Sequence, residues 1–294
     1  MGALGEDTAV EPVDEHGRFR HTLKQDWRIW GPNGGYFASV ALRAAGECTP
    51  LPRPASLSCL FLGMASYDDP VVDIEVVSLR RSKRSDALRV SITQGGRQML
   101  EAHVWAIDDG MSGLEHDVTQ MPDVPGPDEL KTFEELQPSE GPNHFWSNFV
   151  GKPIDWIPPE AWPPAPPVEP RALQWMKYHP VALYPDDAWI DACRAVILLD
   201  TYQWPAAHRA HLHRGPDEPA FIGPNMDQCI HFHRAAPTSE WLLIDAQGPM
   251  AEGGLMACES KVWSEDRKLV ASASSNLMCR EVPKGTPGSG TAAG

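Results

Sequence analysis

Much of this chain is written twice. Ser85 to Trp105 reads SDALRVSITQGGRQMLEAHVW, a strand, a Gly-Gly turn and a second strand. Shifted by 170 residues, Leu255 to Ser275 reads LMACESKVWSEDRKLVASASS, with Asp266-Arg267-Lys268 at the turn. At the same shift Val72 to Val77 faces Leu242 to Gln247, and Leu57 to Gly63 faces Asp227 to His233. A constant offset over about fifty residues is the mark of duplication, with chance likeness between amphipathic strands as the competing explanation.

Each half also opens on a helix. In the first, Gly31-Pro32-Asn33-Gly34-Gly35-Tyr36 leads into FASVALRAAGE; in the second, Pro185-Asp186-Asp187 supplies capping carboxylates ahead of AWIDACRAVILLD. The latter is apolar on most faces and is expected to be buried. Strand, buried helix, then three or four antiparallel strands is the order in both halves. That order predicts an α+β protein, each repeat a curved antiparallel sheet wrapped around one helix. A parallel α/β fold is excluded because helices and strands do not alternate. Between the halves, Gly151 to Pro170 holds eight prolines, which neither continue a helix nor pair centrally in a sheet. The expected division is an N-terminal repeat over 15–109, a connector over 110–170 pinned by Trp156 and Trp162, a C-terminal repeat over 171–283 and a disordered tail over 284–294.

Composition narrows the function. Twenty-five basic against forty acidic residues leave a net charge of −15, which excludes a general nucleic-acid binder. No apolar run reaches the length needed to span a bilayer, and MGALGEDTAVEPVDEHG lacks the basic head and apolar stretch of a signal peptide. No membrane partner is expected, and the expected location is cytoplasmic. The six cysteines form no CxxC pair and read as core thiols. His208, His211 and His213 lie close in sequence and His231 alternates with His233, but no HExxH and no acidic partner at useful spacing accompanies them, so no metal is expected. Neither a GxSxG nucleophile elbow nor a GxxxxGK[ST] phosphate loop occurs.

The segments GPNGGYFASVALRAAG, DIEVVSLRRSKRSDALRVSITQGGRQMLEAHVWA, PNMDQCIHFHR, EWLLIDAQGPM and KLVASAS together resemble the double-hotdog acyl-CoA thioesterases of the bacterial type II kind. The similarity runs over Gly17 to Asp108 and Leu173 to Val282. It implies a double hotdog in one chain, and hydrolysis of an acyl-CoA or acyl-carrier thioester without metal or organic cofactor. A homo-oligomer is implied as well. Such enzymes use an Asp late in the second buried helix, a Thr opening the next strand and a Gln late in the last strand. Asp200 occupies the first position; Asn225 stands where the Thr belongs, and Ser275 where the Gln belongs. At the repeat offset Asn225 and Ser275 face Ala55 and Trp105, so one site per chain is expected.

The chemistry of these residues fits hydrolysis. Asp200 follows Ala-Val-Ile-Leu-Leu, and a carboxylate at the edge of a dry core has a raised pKa and acts as a better base. Its other role would be to cap Thr201-Tyr202 or to pair with Arg209. Asn225 and Ser275 offer donors and acceptors for a water or the carbonyl, or serve as a turn residue and a polar strand residue. By the resemblance, Asn33, Gly34 and Gly35 line the site with helix-start amides, or else make a tight turn. Arg80, Arg81, Lys83 and Arg84 are candidates for the CoA phosphates, against a simply solvated turn. Two other readings keep the scaffold: a lyase, dehydratase or cyclase on a carrier-bound acyl chain, and a catalytically silent acyl-CoA-binding protein.

Overall fold

A computed structural model describes residues 3–138, 144–162, 164–165, 168–214 and 219–282; the tail assigned to 284–294 lies outside them. The first repeat runs β1 (Arg18–Thr22), α1 (Gly34–Glu47), β2 (Arg53–Phe61), β3 (Val71–Arg81), β4 (Ser85–Gln94) and β5 (Arg97–Ile107). The second runs β6 (Arg171–Tyr178), α2 (Ala188–Thr201), a short α3 (Gln203–His208), β7 (Asp227–Phe232), β8 (Trp241–Glu252), β9 (Leu255–Ser264) and β10 (Leu269–Met278).

All ten strands belong to one antiparallel sheet, ordered β1-β3-β4-β5-β2-β7-β10-β9-β8-β6. Each half thus repeats the same strand order outward from a central seam. There β2 pairs with β7, Leu57 facing Ile230 and Leu60 facing Asp227. Alternation drives the burial: along β4 the side chains of Asp86, Leu88, Val90, Ile92 and Gln94 point inward, one residue in two. Gly95 and Gly96, at φ 57° and 77°, make the left-handed turn that joins β4 to β5, and Arg267 at φ 62° turns the second repeat without glycine.

The two long helices pack on each other against the sheet and run antiparallel, the start of α1 meeting the end of α2. Asn33 caps α1, its Oδ1 accepting from Tyr36 N at 2.9 Å. Asp187 caps α2, accepting from the Trp189 and Ile190 amides at 2.9 Å. Val40, Leu42, Leu57, Val104, Val196, Leu198 and Ile230 fall in one continuous apolar core.

Aromatic residues dock the segment between the repeats, but not both of the tryptophans expected to do so. Phe145 is buried, with its ring 6.3 Å from Trp27 and 5.5 Å from Phe149. Phe149–Pro153 then adds an edge strand to β6. Trp156 meets Phe133 at 6.0 Å, whereas Trp162, just past the short 3-10 turn Pro159–Ala161, is 42% exposed.

Candidate active site

The end of α2 brings a carboxylate against the start of α1. Asp200 is buried, 7% exposed. Its Oδ2 accepts from Asn33 Nδ2 at 3.2 Å, its Oδ1 from Asn225 Nδ2, and the Gly35 N–H donates to it as well. Asn33 Nδ2 also reaches Thr201 Oγ1 at 3.2 Å, tying the cap of one helix to the end of the other. Burial pushes the Asp200 carboxyl up to about 6, against the pull of the Gly35, Asn225 and Asn33 donors, which favour the anion. The result is a carboxylate still available near neutral pH and more basic than an exposed one.

Both glycines are needed for the approach. A Cβ on Gly34 would sit 2.6 Å from Asp200 Oδ1, and one on Gly35 would sit 2.6 Å from Ile197 Cα. The tight-turn reading and the site reading therefore describe the same residues. The Gly35 amide, however, is turned to Asp200, so it holds the base and not a carbonyl oxygen. Arg209, the other partner considered for Asp200, pairs with Asp155 at 2.9 Å instead.

Asn225 opens the approach to β7 and bridges to Leu277 of β10, which fixes it beside Asp200. Ser275 is buried on β10, but its hydroxyl donates to Gln203 Oε1 and not to the carboxylate. Gln203 was not picked out from the sequence. The signal available was its spacing, three residues beyond Asp200 on a nearly continuous helical course. The counterpart of Ser275 also differs from the one at the 170 offset. Cys258 pairs with Ser275 and Leu88 with Val104, so buried Val104 holds the inward place and Trp105 points outward, 40% exposed. Both hairpins carry a one-residue bulge, so the difference comes from the turn: two residues, Gly95 and Gly96, between Gln94 and Arg97, against three, Glu265 to Arg267, between Ser264 and Lys268.

The basic run is not brought to this point. Arg81 donates to Cys48 O at 2.7 Å, beyond the end of α1, and lies 3.5 Å from Asp86. It stands about one helix length from Asn33, on the order of 20 Å at 1.5 Å per residue. His233 Nε2 lies 2.9 Å from Ser272 Oγ, and His208 stacks on Trp204 at 4.9 Å. Among the described residues no group of three His, Cys, Asp or Glu side chains is placed to hold a metal, and no helix is long and apolar enough to cross a membrane.

Two repeats of sheet around helix in one chain make a double hotdog, and family comparison gives the class as thioester hydrolase. A family model described as the acyl-CoA thioesterase N-terminal domain matches residues 23–107, and one described as the C-terminal domain matches residues 126–278. The chain belongs to the acyl-CoA thioesterase family.

Solved structures agree on the fold. An acyl-CoA thioesterase II, TesB2, from Mycobacterium marinum superposes with a TM-score of 0.76 at 21% identity, over 96% of this chain and 99% of that one. A tesB protein from Mycobacterium avium subspecies paratuberculosis gives 0.73 at 22% identity, over 95% and 100%. A hot dog protein of unknown function from Alicyclobacillus acidocaldarius gives 0.76 at 21% identity, over 95% and 98%. Of the three readings open in the sequence, the family match selects the hydrolase.

Proposed function

We propose that Asp200 is the general base of acyl-CoA hydrolysis, with Asn225, Asn33 and the Gly35 amide holding it. The observation that carries this reading is the placement of one desolvated carboxylate between the helices of both repeats, gripped by three donors. A water beside it gives a proton to the carboxylate as its oxygen bonds to the thioester carbon. Asn225 Oδ1, buried and without a partner among the described residues, accepts the other hydrogen of that water. Collapse of the tetrahedral intermediate breaks the C–S bond, and the proton held by Asp200 passes to the departing thiolate.

The substrate is an acyl-CoA or a related acyl-carrier thioester. The Arg80–Arg84 turn, one helix length away, has a place only at the far end of an extended carrier. The expected homo-oligomer belongs to the same reading. Pro12, in the two-residue strand Glu11–Pro12 that pairs outside β1, and Pro153 at the opposite edge lack the N–H that would extend a ladder, so self-association would bury a sheet face. Thiol release from short, medium and long acyl-CoAs tests the function. Asp200→Asn is expected to lower release by about 10²–10⁴ in a folded protein, and the wild-type rate is expected to fall as pH drops, with a midpoint near pH 6. An unchanged turnover in Asp200→Asn rejects the role.

A further inference from the structure

The base is well supplied with donors, but every one named so far is engaged. Asn33 Nδ2, Asn225 Nδ2 and the Gly35 amide all point at Asp200. None of them is left for the carbonyl oxygen, on which negative charge develops as water adds.

Two buried amides remain open. Gln203 is fully buried; its Oε1 takes the Ser275 hydroxyl, and its Nε2 has no partner among the described residues. Gln228 is 1% exposed, and neither its Nε2 nor its Oε1 is partnered there. Buried amides are ordinarily hydrogen-bonded, so this concentration of open donors is unusual for packing alone.

Both lie beside the base. Tyr202 N donates to Leu198 O at 3.3 Å and Ala206 N to Tyr202 O at 3.1 Å, carrying the helical course across the α2–α3 junction. Asp200 and Gln203, three apart, therefore share a face. Across the sheet, Cys229 pairs with Ser274 and Asn225 bridges Leu277, which sets Gln228 next to Ser275. Cys59, which faces Gln228, has its thiol pushed up by burial first and by the Asp200 charge next.

We propose that Gln203 is a further catalytic residue, its Nε2 donating to the thioester carbonyl oxygen while Ser275 fixes the carboxamide and Gln228 supplies the second donor. This rests on the reading of Asp200 as the base. As the water oxygen bonds to the carbonyl carbon, the C=O pair moves onto oxygen and meets these two N–H groups. When the carbonyl re-forms, the C–S pair leaves with sulfur. Ser275 is a positioning residue in this scheme.

The test is steady-state thiol release from one acyl-CoA by the full chain and its variants. Gln203→Leu removes the donor and is expected to lower kcat by about 10²–10³, the scale of losing one oxyanion donor, with KM little changed. Gln203→Glu keeps an acceptor for Ser275 but sets a second carboxylate near Asp200, so it is expected to lower kcat and move the pH midpoint upward. Exchanging the partners, Gln203→Ser with Ser275→Gln, returns a carboxamide to the same contact from the strand. The exchange is expected to recover to within about tenfold of wild type while Gln203→Ser alone does not.

Wild-type kcat in Gln203→Leu, or an exchange no better than Gln203→Ser alone, overturns the role of Gln203. With Asp200→Asn inactive in the same series, the base assignment stands through that failure. An active Asp200→Asn removes the base and leaves Gln203 judged on its own variants.

Discussion

The two ends of the α1–α2 pair are related by the duplication, and they are filled differently. Aligned start to start, Gly35 of α1 corresponds to Trp189 of α2, and Gly46 of α1 to Asp200 of α2. At one end the bare backbone of Gly34 and Gly35 admits the Asp200 carboxylate. At the other, Gly46 admits the Trp189 indole, where a Cβ would come within 2.9 Å of Cδ2. Trp189 Nε1 then donates to Leu51 O at 3.2 Å. The same pair of positions is thus used once for chemistry and once for packing. The caps follow suit: Asn33, neutral and with a spare N–H, faces the carboxylate, while Asp187 at the packing end caps only its own helix.

The comparison can be broken by moving activity and stability separately. The largest effect is expected from Asp200→Asn, which should lower kcat by about 10²–10⁴, the scale of losing a placed general base. Next, Trp189→Ala should cost about 3–5 kcal/mol in denaturant unfolding by opening a cavity at the packing end, with kcat of the folded protein within twofold of wild type. A large loss of kcat there would mean the two ends are not divided as described. Gly35→Ala should cost about 1–3 kcal/mol, because its Cβ meets the backbone of Ile197 and Val196. Gly46→Ala should cost less, since its neighbour is a side chain that can tilt.

The smallest effect sharpens the picture through pH. The Asp200 carboxyl is raised in the folded state, so the native protein holds a proton that the unfolded chain has released between pH 3.8 and about 6. Stability from this group is therefore full at low pH and declines as pH rises through that window. Asp200→Asn should raise Tm at pH 8 more than at pH 5. An equal shift at both would show that the carboxylate is not desolvated.

The strand pattern, the Asp187 cap and the buried carboxylate were legible in the sequence, because each depends on local alternation, a short spacing or an apolar run. Residues 202–226 of the second repeat are another matter. The first repeat has only 48–52 between its helix and next strand, so the helices do not align at the shift that matches the strands. The 170 offset therefore could not show that Gly35 answers Trp189 or that Gly46 answers Asp200. Gln203 lies at the start of that longer stretch, and the residue holding it, Ser275, comes from the far strand β10. Nothing local marks such a contact. The register slip that puts Val104 in the place expected of Trp105 arises at the turn, two residues long in the first repeat and three in the second, a difference that one constant offset through both strands conceals.

The seam between β2 and β7 makes the lopsidedness durable. Were the halves two free copies of one polypeptide, any change at position 35 or 200 would appear at both ends at once. A tryptophan plug would then close both clefts, and a carboxylate would burden both with an uncompensated anion. Tethering the halves in a single gene product lets one cleft specialise while its twin is sealed for rigidity.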